Sequence, residues 1–130
     1  GKLYSVPMYR LVARHLAPGG YIVVQSTSPY FAPNAYWSVV ATLEAAGLHT
    51  APYHVYVPSF GEWGYVLAAR TDNFPVPRHF DVPTRYLNGE TAAEMFRFPP
   101  DMARREVEPN YLNTQKLVSY FEKDWREVQR

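Results

Sequence analysis

Residues 49–69 read HTAPYHVYVPSFGEWGYVLAA, and this stretch decides the fold. His49–Val57 alternates loosely between apolar and polar side chains, and Trp63–Ala69 is an apolar run, so we predict a strand in each segment. The intervening Pro58–Gly61 has the composition of a turn. Because the connection is so short, the two strands are expected to pair as an antiparallel hairpin.

Upstream of the hairpin, the pattern adds one more strand and one helix. Tyr21–Gln25 is a β-branched run without alternation, which is typical of a central strand buried on both faces. The helix that follows has Asn34 as its predicted N-cap and Gly47 as its end. Its apolar stripe consists of Tyr36, Val39, Val40, Leu43 and Ala46. The order strand, helix, strand, strand predicts the closing half of a doubly wound α/β domain.

Further helices are predicted on both sides of this unit. Ser5 caps a first helix that has a proline in its first turn and stops at Pro18–Gly20. After a Pro- and Asn-rich segment, a short helix begins at a Thr91 cap and runs through Phe98. The last helix begins near Asn113. Its apolar stripe, which we interpret as core or interface packing, is Leu117, Val118, Phe121, Trp125 and Val128.

Composition excludes several classes of function. The chain of 130 residues has no cysteine, which excludes a disulfide framework, a thiolate nucleophile and a Cys-ligated zinc site. A net charge of +1 gives no general attraction to nucleic acid or to an anionic membrane. No apolar run approaches the ~20 residues that span a bilayer. The sequence also contains no Gly-x-Gly-x-x-Gly loop, which is the usual dinucleotide-binding signature.

Charge is distributed very unevenly along the chain. Residues 1–69 hold only five charged side chains, and the other twenty lie in residues 70–130. Low charge indicates burial on several sides, as in a sheet that is covered on both faces. We therefore predict a sheet-forming part over residues 1–70 and a solvated, Pro-rich and helical extension over residues 71–130.

A series of short motifs points to a known family. In chain order they are Leu3-Tyr4-Ser5, Met8-Tyr9, Leu16–Gly20, Val23-Val24-Gln25 and the hairpin segment His54–Tyr65. Their order and spacing resemble the polyamine aminopropyltransferases, the spermidine synthase family, over about residues 3–70. Later segments resemble the C-terminal extension of longer spermidine synthase-like proteins, some of which carry membrane-spanning helices before the enzyme domain. These segments are Arg85–Asn88, Met95-Phe96 and Asn110–Trp125.

The resemblance implies a methyltransferase-like Rossmann fold whose last strand is antiparallel and inserted. Trp63–Ala69 should then lie between Tyr21–Ser26 and His49–Val57. The resemblance also implies a C-terminal fragment, because the family's glycine-rich loop and catalytic aspartate would lie ahead of Leu3. We expect such a fragment to be inactive alone and to bind no cofactor. Decarboxylated S-adenosylmethionine is implied as the co-substrate of the parent enzyme.

The resemblance further assigns four substrate-binding residues. Gln25 matches a strand-end glutamine that faces the amine site, Phe60 stands where the family has a substrate-binding tyrosine, and Trp63 would wall the pocket. Tyr4 belongs to the segment near the active-site loop. No catalytic, cofactor-binding or metal-binding residue is assigned in this chain. The missing hydroxyl at Phe60 argues against ordinary putrescine specificity.

Simpler structural roles compete with these assignments. Gln25 would also be explained by hydrogen bonds to the loop that follows it, and a hairpin tryptophan such as Trp63 is often plain core. We expect Glu62 to be a solvated turn residue. His49 and His54 are predicted to be structural histidines, since no spacing of His, Asp and Glu suggests a metal site.

Other functions also compete with the transferase. A non-catalytic α/β interaction or oligomerisation module is the main alternative, and half of a small-molecule methyltransferase is a weaker one. In the whole fold, strand Tyr21–Ser26 would pair with an upstream strand, so its open edge here predicts a homo-oligomer. The expected ligand is a small polyamine, without nucleic acid or membrane contact by this chain. The predicted location is the cytoplasm, with upstream helices of a parent protein as a membrane anchor.

Overall fold

The computed structural model describes residues 4–111 and 116–128. The elements in this part of the chain are α1 (Val6–His15), β1 (Ile22–Gln25), α2 (Pro33–Ala45), β2 (His49–Val57), β3 (Gly61–Ala69), α3 (Gly89–Met95), a 3-10 turn (Pro100–Met102) and α4 (Lys116–Val128). The predicted start of the last helix near Asn113 lies outside the described residues. None of the described helices is both long enough and apolar enough to cross a membrane.

The three described strands form one open sheet in the order β1-β3-β2. Strand β3 runs antiparallel to both neighbours, with Val24 opposite Val66 on one side and Tyr53 opposite Tyr65 on the other. The fold class is therefore α/β, and the predicted insertion of the last strand between the other two is confirmed. Because β1 and β2 run in the same direction, their carboxyl ends lie at the same end of the sheet.

The hydrophobic core lies between one face of the sheet and helix α2. Tyr36 is fully buried there, and its hydroxyl donates to the backbone carbonyls of Tyr53 and Tyr65, at 3.2 and 2.9 Å. Burial raises the pKa of Tyr36 above its ordinary value, so the hydroxyl keeps its proton and remains a donor. Around it pack Val24, Val40, Leu43, Val66 and Ala68.

Helix α1 begins as predicted. The Ser5 side chain accepts a hydrogen bond from the backbone N–H of Met8 at 3.4 Å, which caps the helix. Tyr9 on this helix is 4% exposed, and its hydroxyl has no hydrogen-bond partner among the described residues. Burial, with a smaller contribution from Tyr4, raises the pKa of Tyr9.

Two predicted helix caps are wrong. Asn34 lies inside α2, because Pro33 with its fixed φ is the first helical residue and Ala32 precedes it as an N-cap without a side-chain hydrogen bond.

The predicted Thr91 cap of α3 is replaced by Asn88, whose side chain accepts a hydrogen bond from the backbone N–H of Thr91 at 2.9 Å. Thr91 reaches back to the backbone N–H of Asn88 at 2.8 Å, so the two form a reciprocal capping box. This helix ends at Met95 and does not run through Phe98.

Helix α2 is covered on its outer side by residues that follow the predicted boundary at residue 70. Ten of its 13 residues are buried, which explains why its sequence is apolar almost all round. The Trp37 indole N–H donates to the carbonyl of Met102 at 3.3 Å, and the Ser38 hydroxyl donates to the carbonyl of Glu108 at 2.7 Å. Arg104 lies over the Trp37 ring and pairs with Glu44.

Candidate functional site

Two adjoining clefts open at the carboxyl ends of β1 and β2. The larger, which we call the aromatic cleft, has a volume of about 340 Å³, and the smaller, the Gln25 cleft, about 240 Å³. Thr27 and Phe121 line both clefts. The aromatic cleft is otherwise walled mainly by Phe31, Phe60, Trp63, Trp125 and Val128. The Gln25 cleft is walled by Tyr4, Gln25, Ser26, Ala35, Val39, Leu117 and Val118.

All four predicted substrate-binding residues line these clefts. Tyr4 and Gln25 line the smaller one, and Phe60 and Trp63 line the larger one. Phe60 stands in the β2–β3 turn with 69% of its surface exposed, and its ring centroid lies 6.2 Å from that of Trp63. The structure therefore brings the four residues together, and their roles toward a ligand stay predictions.

The segment that joins the two clefts is held in a strained conformation. Thr27 has φ of 67°, a left-handed backbone angle that a β-branched residue rarely adopts. Gly64 on β3 fixes this segment, because its N–H donates to the Thr27 carbonyl at 2.6 Å and its carbonyl accepts from the N–H of Ser26 at 2.9 Å. Strain of this kind costs about 1–3 kcal/mol and occurs most often at binding and active sites.

The loop after β1 supplies its own hydrogen bonds. The Ser26 hydroxyl donates to the carbonyl of Val24 at 2.9 Å, and the Ser28 hydroxyl oxygen accepts from the N–H groups of Tyr30 and Phe31 at 3.2 and 3.1 Å. These two serines therefore stabilise the loop by their own side-chain hydrogen bonds.

The clefts are apolar and uncharged. None of the described residues that line them is acidic or basic. Their aromatic walls suit a chain of methylene groups or the face-on contact of an ammonium group with a ring. A carboxylate that anchors an ammonium group or accepts a proton is not among the described lining residues.

Glu62 is not the solvated turn residue that the sequence predicted. Its carboxylate accepts a hydrogen bond from Nδ1 of His54 at 2.8 Å, and only 27% of its side chain is exposed. Nε2 of His54 contacts the carbonyl of Arg97. With one ring nitrogen at Glu62 and the other at Arg97, His54 serves a structural role between β2 and the segment after α3.

Glu62 and His54 also lie away from the two clefts. They line a separate cavity of about 470 Å³. Among the described residues there is no group of three or more His, Cys, Asp or Glu side chains that could hold a metal ion. Glu62 is therefore engaged by His54 and does not contribute a free acid to the aromatic cleft.

Sequence reasoning missed the part that α4 plays at the clefts. The helix stripe was predicted to pack in the core or at an interface. Core packing is wrong for Phe121, Trp125 and Val128, which are 37%, 54% and 42% exposed and line the aromatic cleft, and interface packing stays a prediction. Only Leu117 of this stripe packs partly against the core. The apolar stripe was visible in the sequence, whereas its position beside the β2–β3 turn depends on a contact distant in sequence.

That contact is made by Asp124, which is 1% exposed. Its carboxylate accepts hydrogen bonds from Nδ2 of Asn34 at 2.7 Å and from the backbone N–H of Ala35 at 2.9 Å. These donors belong to the first turn of α2, where backbone N–H groups lack partners within the helix. Asp124 therefore attaches α4 to the start of α2.

Comparison with known proteins gives relatives over the whole chain. It is 60% identical over 132 residues to "Polyamine aminopropyltransferase 2" of Ralstonia nicotianae, covering 100% of this chain and 26% of that protein. It is 39% identical over 130 residues to the polyamine aminopropyltransferase of Leptospira interrogans (98% of this chain, 26% of that protein). For the polyamine aminopropyltransferase of Mycobacterium tuberculosis strain H37Rv the identity is 40% over 130 residues (96% and 24%).

The chain therefore spans about a quarter of the length of the curated relatives that it matches. The sequence model of the spermine/spermidine synthase domain matches residues 1–79. This matched region contains the complete three-stranded sheet and the loop that joins the two clefts. The family predicted from the motifs is thus confirmed, and the chain belongs to the spermine/spermidine synthase domain family.

Proposed function

We propose that this chain forms the amine-binding wall of a polyamine aminopropyltransferase. The observation that carries the proposal is the arrangement of Tyr4, Gln25, Phe60 and Trp63 in two adjoining clefts at the carboxyl ends of β1 and β2. Ligands of open α/β sheets bind at this end of the strands. The strained Thr27 between the clefts adds support.

The proposed reaction is a displacement at carbon. The nitrogen of a deprotonated amine forms a bond to the propyl carbon of decarboxylated S-adenosylmethionine, the bond between that carbon and the sulfonium sulfur breaks, and a neutral thioether leaves. A base accepts the proton from the amine. In this scheme the aromatic cleft holds the methylene chain away from water, and the Gln25 amide offers a hydrogen-bonding group to the amine nitrogen.

The base and the nucleotide site are proposed to lie outside this chain's clefts. The described lining residues include no acid, whereas deprotonating an amine and anchoring a second ammonium group both call for one. We infer that the chain alone does not turn over substrate and does not bind decarboxylated S-adenosylmethionine. Tight binding of that co-substrate by the isolated chain would contradict this part of the proposal.

The proposal is tested by titrating the chain with linear diamines and following amide chemical shifts by NMR. Shifts should concentrate at Gln25, Thr27, Phe60 and Trp63. Gln25→Ala should weaken diamine binding by about tenfold to a hundredfold, because a hydrogen bond to a charged group is worth about 1.5–3 kcal/mol. Asn73→Ala, which removes an exposed amide outside both clefts, is the matched control. Equal affinity of Gln25→Ala and wild type would exclude the proposed role of Gln25.

A chimera tests the transferase directly. This chain would replace the corresponding segment of the Ralstonia nicotianae polyamine aminopropyltransferase 2, to which it is 60% identical. The chimera should transfer aminopropyl groups, and the same chimera with Gln25→Ala should show a raised KM for the amine. A folded chimera without aminopropyl transfer would count against the proposed function.

Self-association is a second candidate, and one observation favours it. Among the described residues, β1 pairs only with β3, so its other edge is unpaired, and Val23 on this strand is 57% exposed. Such an edge is prone to pair with another chain. Sedimentation at rising protein concentration tests this candidate, and Val23→Pro, which removes an N–H from the strand, should shift the chain toward monomer.

A further inference from the structure

We propose that α4 is the length-selecting wall of the amine site, and that Asp124 is the residue that positions this wall. The inference rests on the proposed amine-binding function and deepens it. It concerns residues outside the segment 1–79 that matches the family's sequence model. Two observations carry it: the buried attachment of α4 to α2, and the half-exposed aromatic side chains that α4 presents to the cleft.

The attachment fixes both the position and the rotation of α4. Helix α2 has no side-chain cap of its own, and the Asp124 carboxylate binds Asn34 and the backbone N–H of Ala35 in its first turn. An acid at a helix N-terminus also interacts favourably with the helix dipole. Phe121 and Val128 lie three residues before and four residues after Asp124, so they share its side of α4.

The aromatic side chains of α4 are left open at the cleft. Phe121 and Trp125 are 37% and 54% exposed, although both line the same cavity as Phe60 and Trp63. A linear alkyl diamine laid between these two groups of rings would cover apolar surface on both sides. An ammonium group at its end would lie against aromatic faces, which attract cations.

The uncharged lining is better suited to the methylene chain of a linear diamine than to a short polar molecule. Each methylene group that becomes fully buried strengthens binding by about fourfold. Affinity should therefore rise with the number of methylene groups until the ligand exceeds the cleft, and the wall formed by Phe121 and Trp125 should determine this dependence. Phe121 joins the two clefts, so its side chain stands where a longer amine would pass from one to the other.

The experiment measures the affinity of the complete chain for a series of linear α,ω-diamines of increasing length by calorimetry. Wild type should gain affinity with each added methylene until the ligand exceeds the length of the cleft. Trp125→Ala and Phe121→Ala should flatten this dependence to less than about twofold per methylene, because one apolar wall is lost. Tyr86→Ala is the matched control, since Tyr86 is 52% exposed and lines the separate cavity beside Glu62.

The positioning role of Asp124 is tested by exchanging the carboxylate of Asp124 and the amide of Asn34. Asp124→Asn places an amide N–H beside the donors of Asn34 and Ala35 and should abolish the length dependence. The double variant Asn34→Asp with Asp124→Asn restores a carboxylate and an amide in reversed order and should recover it. A purely structural role of Asp124 would change the unfolding midpoint without changing the length dependence, so this outcome would overturn the positioning role.

The outcomes separate this inference from the function on which it rests. If the wild-type chain binds no diamine of the series, the proposed amine-binding function fails. If it binds them but Trp125→Ala and Phe121→Ala keep the wild-type length dependence, the amine site stands and the role of α4 is overturned. Because both side chains are exposed at the cleft, these two variants should fold even if Asp124→Asn does not.

Discussion

Gly64 lies directly against the ring of Tyr36, and no other residue type fits between them. A Cβ atom at residue 64 would stand 2.5 Å from Cδ1 of that ring and 2.8 Å from the carbonyl oxygen of Thr27. The same glycine donates to and accepts from the segment that joins the two clefts. Because Gly64 has no side chain, the Tyr36 ring in the core and the Thr27 carbonyl at the candidate site can both pack against β3 at this residue.

Gly64→Ala should consequently destabilise the chain. In a strand with free space, replacing glycine by alanine stabilises a protein by about 0.4–1 kcal/mol, because the unfolded chain loses freedom. Here the methyl group would displace Tyr36 and Thr27, and overpacking costs about 1–3 kcal/mol. The free energy of unfolding, measured by urea denaturation, should therefore be lower for Gly64→Ala than for wild type. A more stable Gly64→Ala variant would contradict the close packing.

Removing a hydroxyl should have opposite effects at two buried tyrosines. Tyr36→Phe removes a buried donor to the carbonyls of Tyr53 and Tyr65 and should cost about 1 kcal/mol. Tyr9→Phe removes a hydroxyl that has no partner among the described residues, so stability should stay equal or rise. Paired urea denaturation curves check both variants. A loss at Tyr9 as large as that at Tyr36 would show that the Tyr9 hydroxyl has a partner.

Alkaline pH should destabilise the fold through the same two residues. Their ordinary pKa is 10.0, and burial raises it in the folded state. Above pH 10 the unfolded chain therefore releases protons that the folded chain keeps. The free energy of unfolding should then fall by up to about 1.4 kcal/mol per pH unit for each tyrosine.

The double variant Tyr9→Phe with Tyr36→Phe is the control for this alkaline loss. It should remove most of the pH dependence above pH 10. A smaller slope should remain, because burial, with Tyr65 nearby, also raises the pKa of Tyr53. Thermal unfolding followed by circular dichroism between neutral and alkaline pH measures the slopes. An unchanged slope in the double variant would be incompatible with this assignment.

Phe60→Tyr should strengthen the binding of short diamines. The residue is 69% exposed in the turn, so an added hydroxyl is tolerated, and it supplies a hydrogen-bonding group at a cleft whose lining is mostly apolar. We expect a gain of about two- to tenfold in affinity, from a net hydrogen bond of about 0.5–1.5 kcal/mol. Calorimetric titration with a short and a long diamine measures it. Ser59→Thr in the same turn is the control and should change neither affinity.

Local patterns were sufficient to predict most of the sheet-forming part. The bounds of β2 agree with the prediction, and Ser5 and Gly47 mark helix ends where their chemistry predicted them. The position of β3 between β1 and β2 came from the family resemblance, since a hairpin alone does not say which strand lies on its far side. The division of the chain at residue 70 stays a prediction.

Two of the errors concern partners that are distant in sequence, and the error at Glu62 concerns a partner across the hairpin. Asn34 has the chemistry of a helix cap, but its side chain binds Asp124, which is 90 positions later. Glu62 was predicted to be solvated. The predicted hairpin already places His54 diagonally across from Glu62, so this cross-strand pair could have been predicted from the sequence. Trp125 was recognised as part of an apolar stripe, and its place at a cleft follows only from the attachment of α4.

The cover over the outer side of α2 predicts a difference between the sequences of family members with and without it. Trp37 is 3% exposed, and Met102 and Arg104 are among the residues that cover it. A homologue that lacks a counterpart of residues 100–128 would expose this position to water, and natural variation should then favour a polar helix former there. The residue type at position 37 should therefore report, from an alignment alone, which members of the family possess the C-terminal cover.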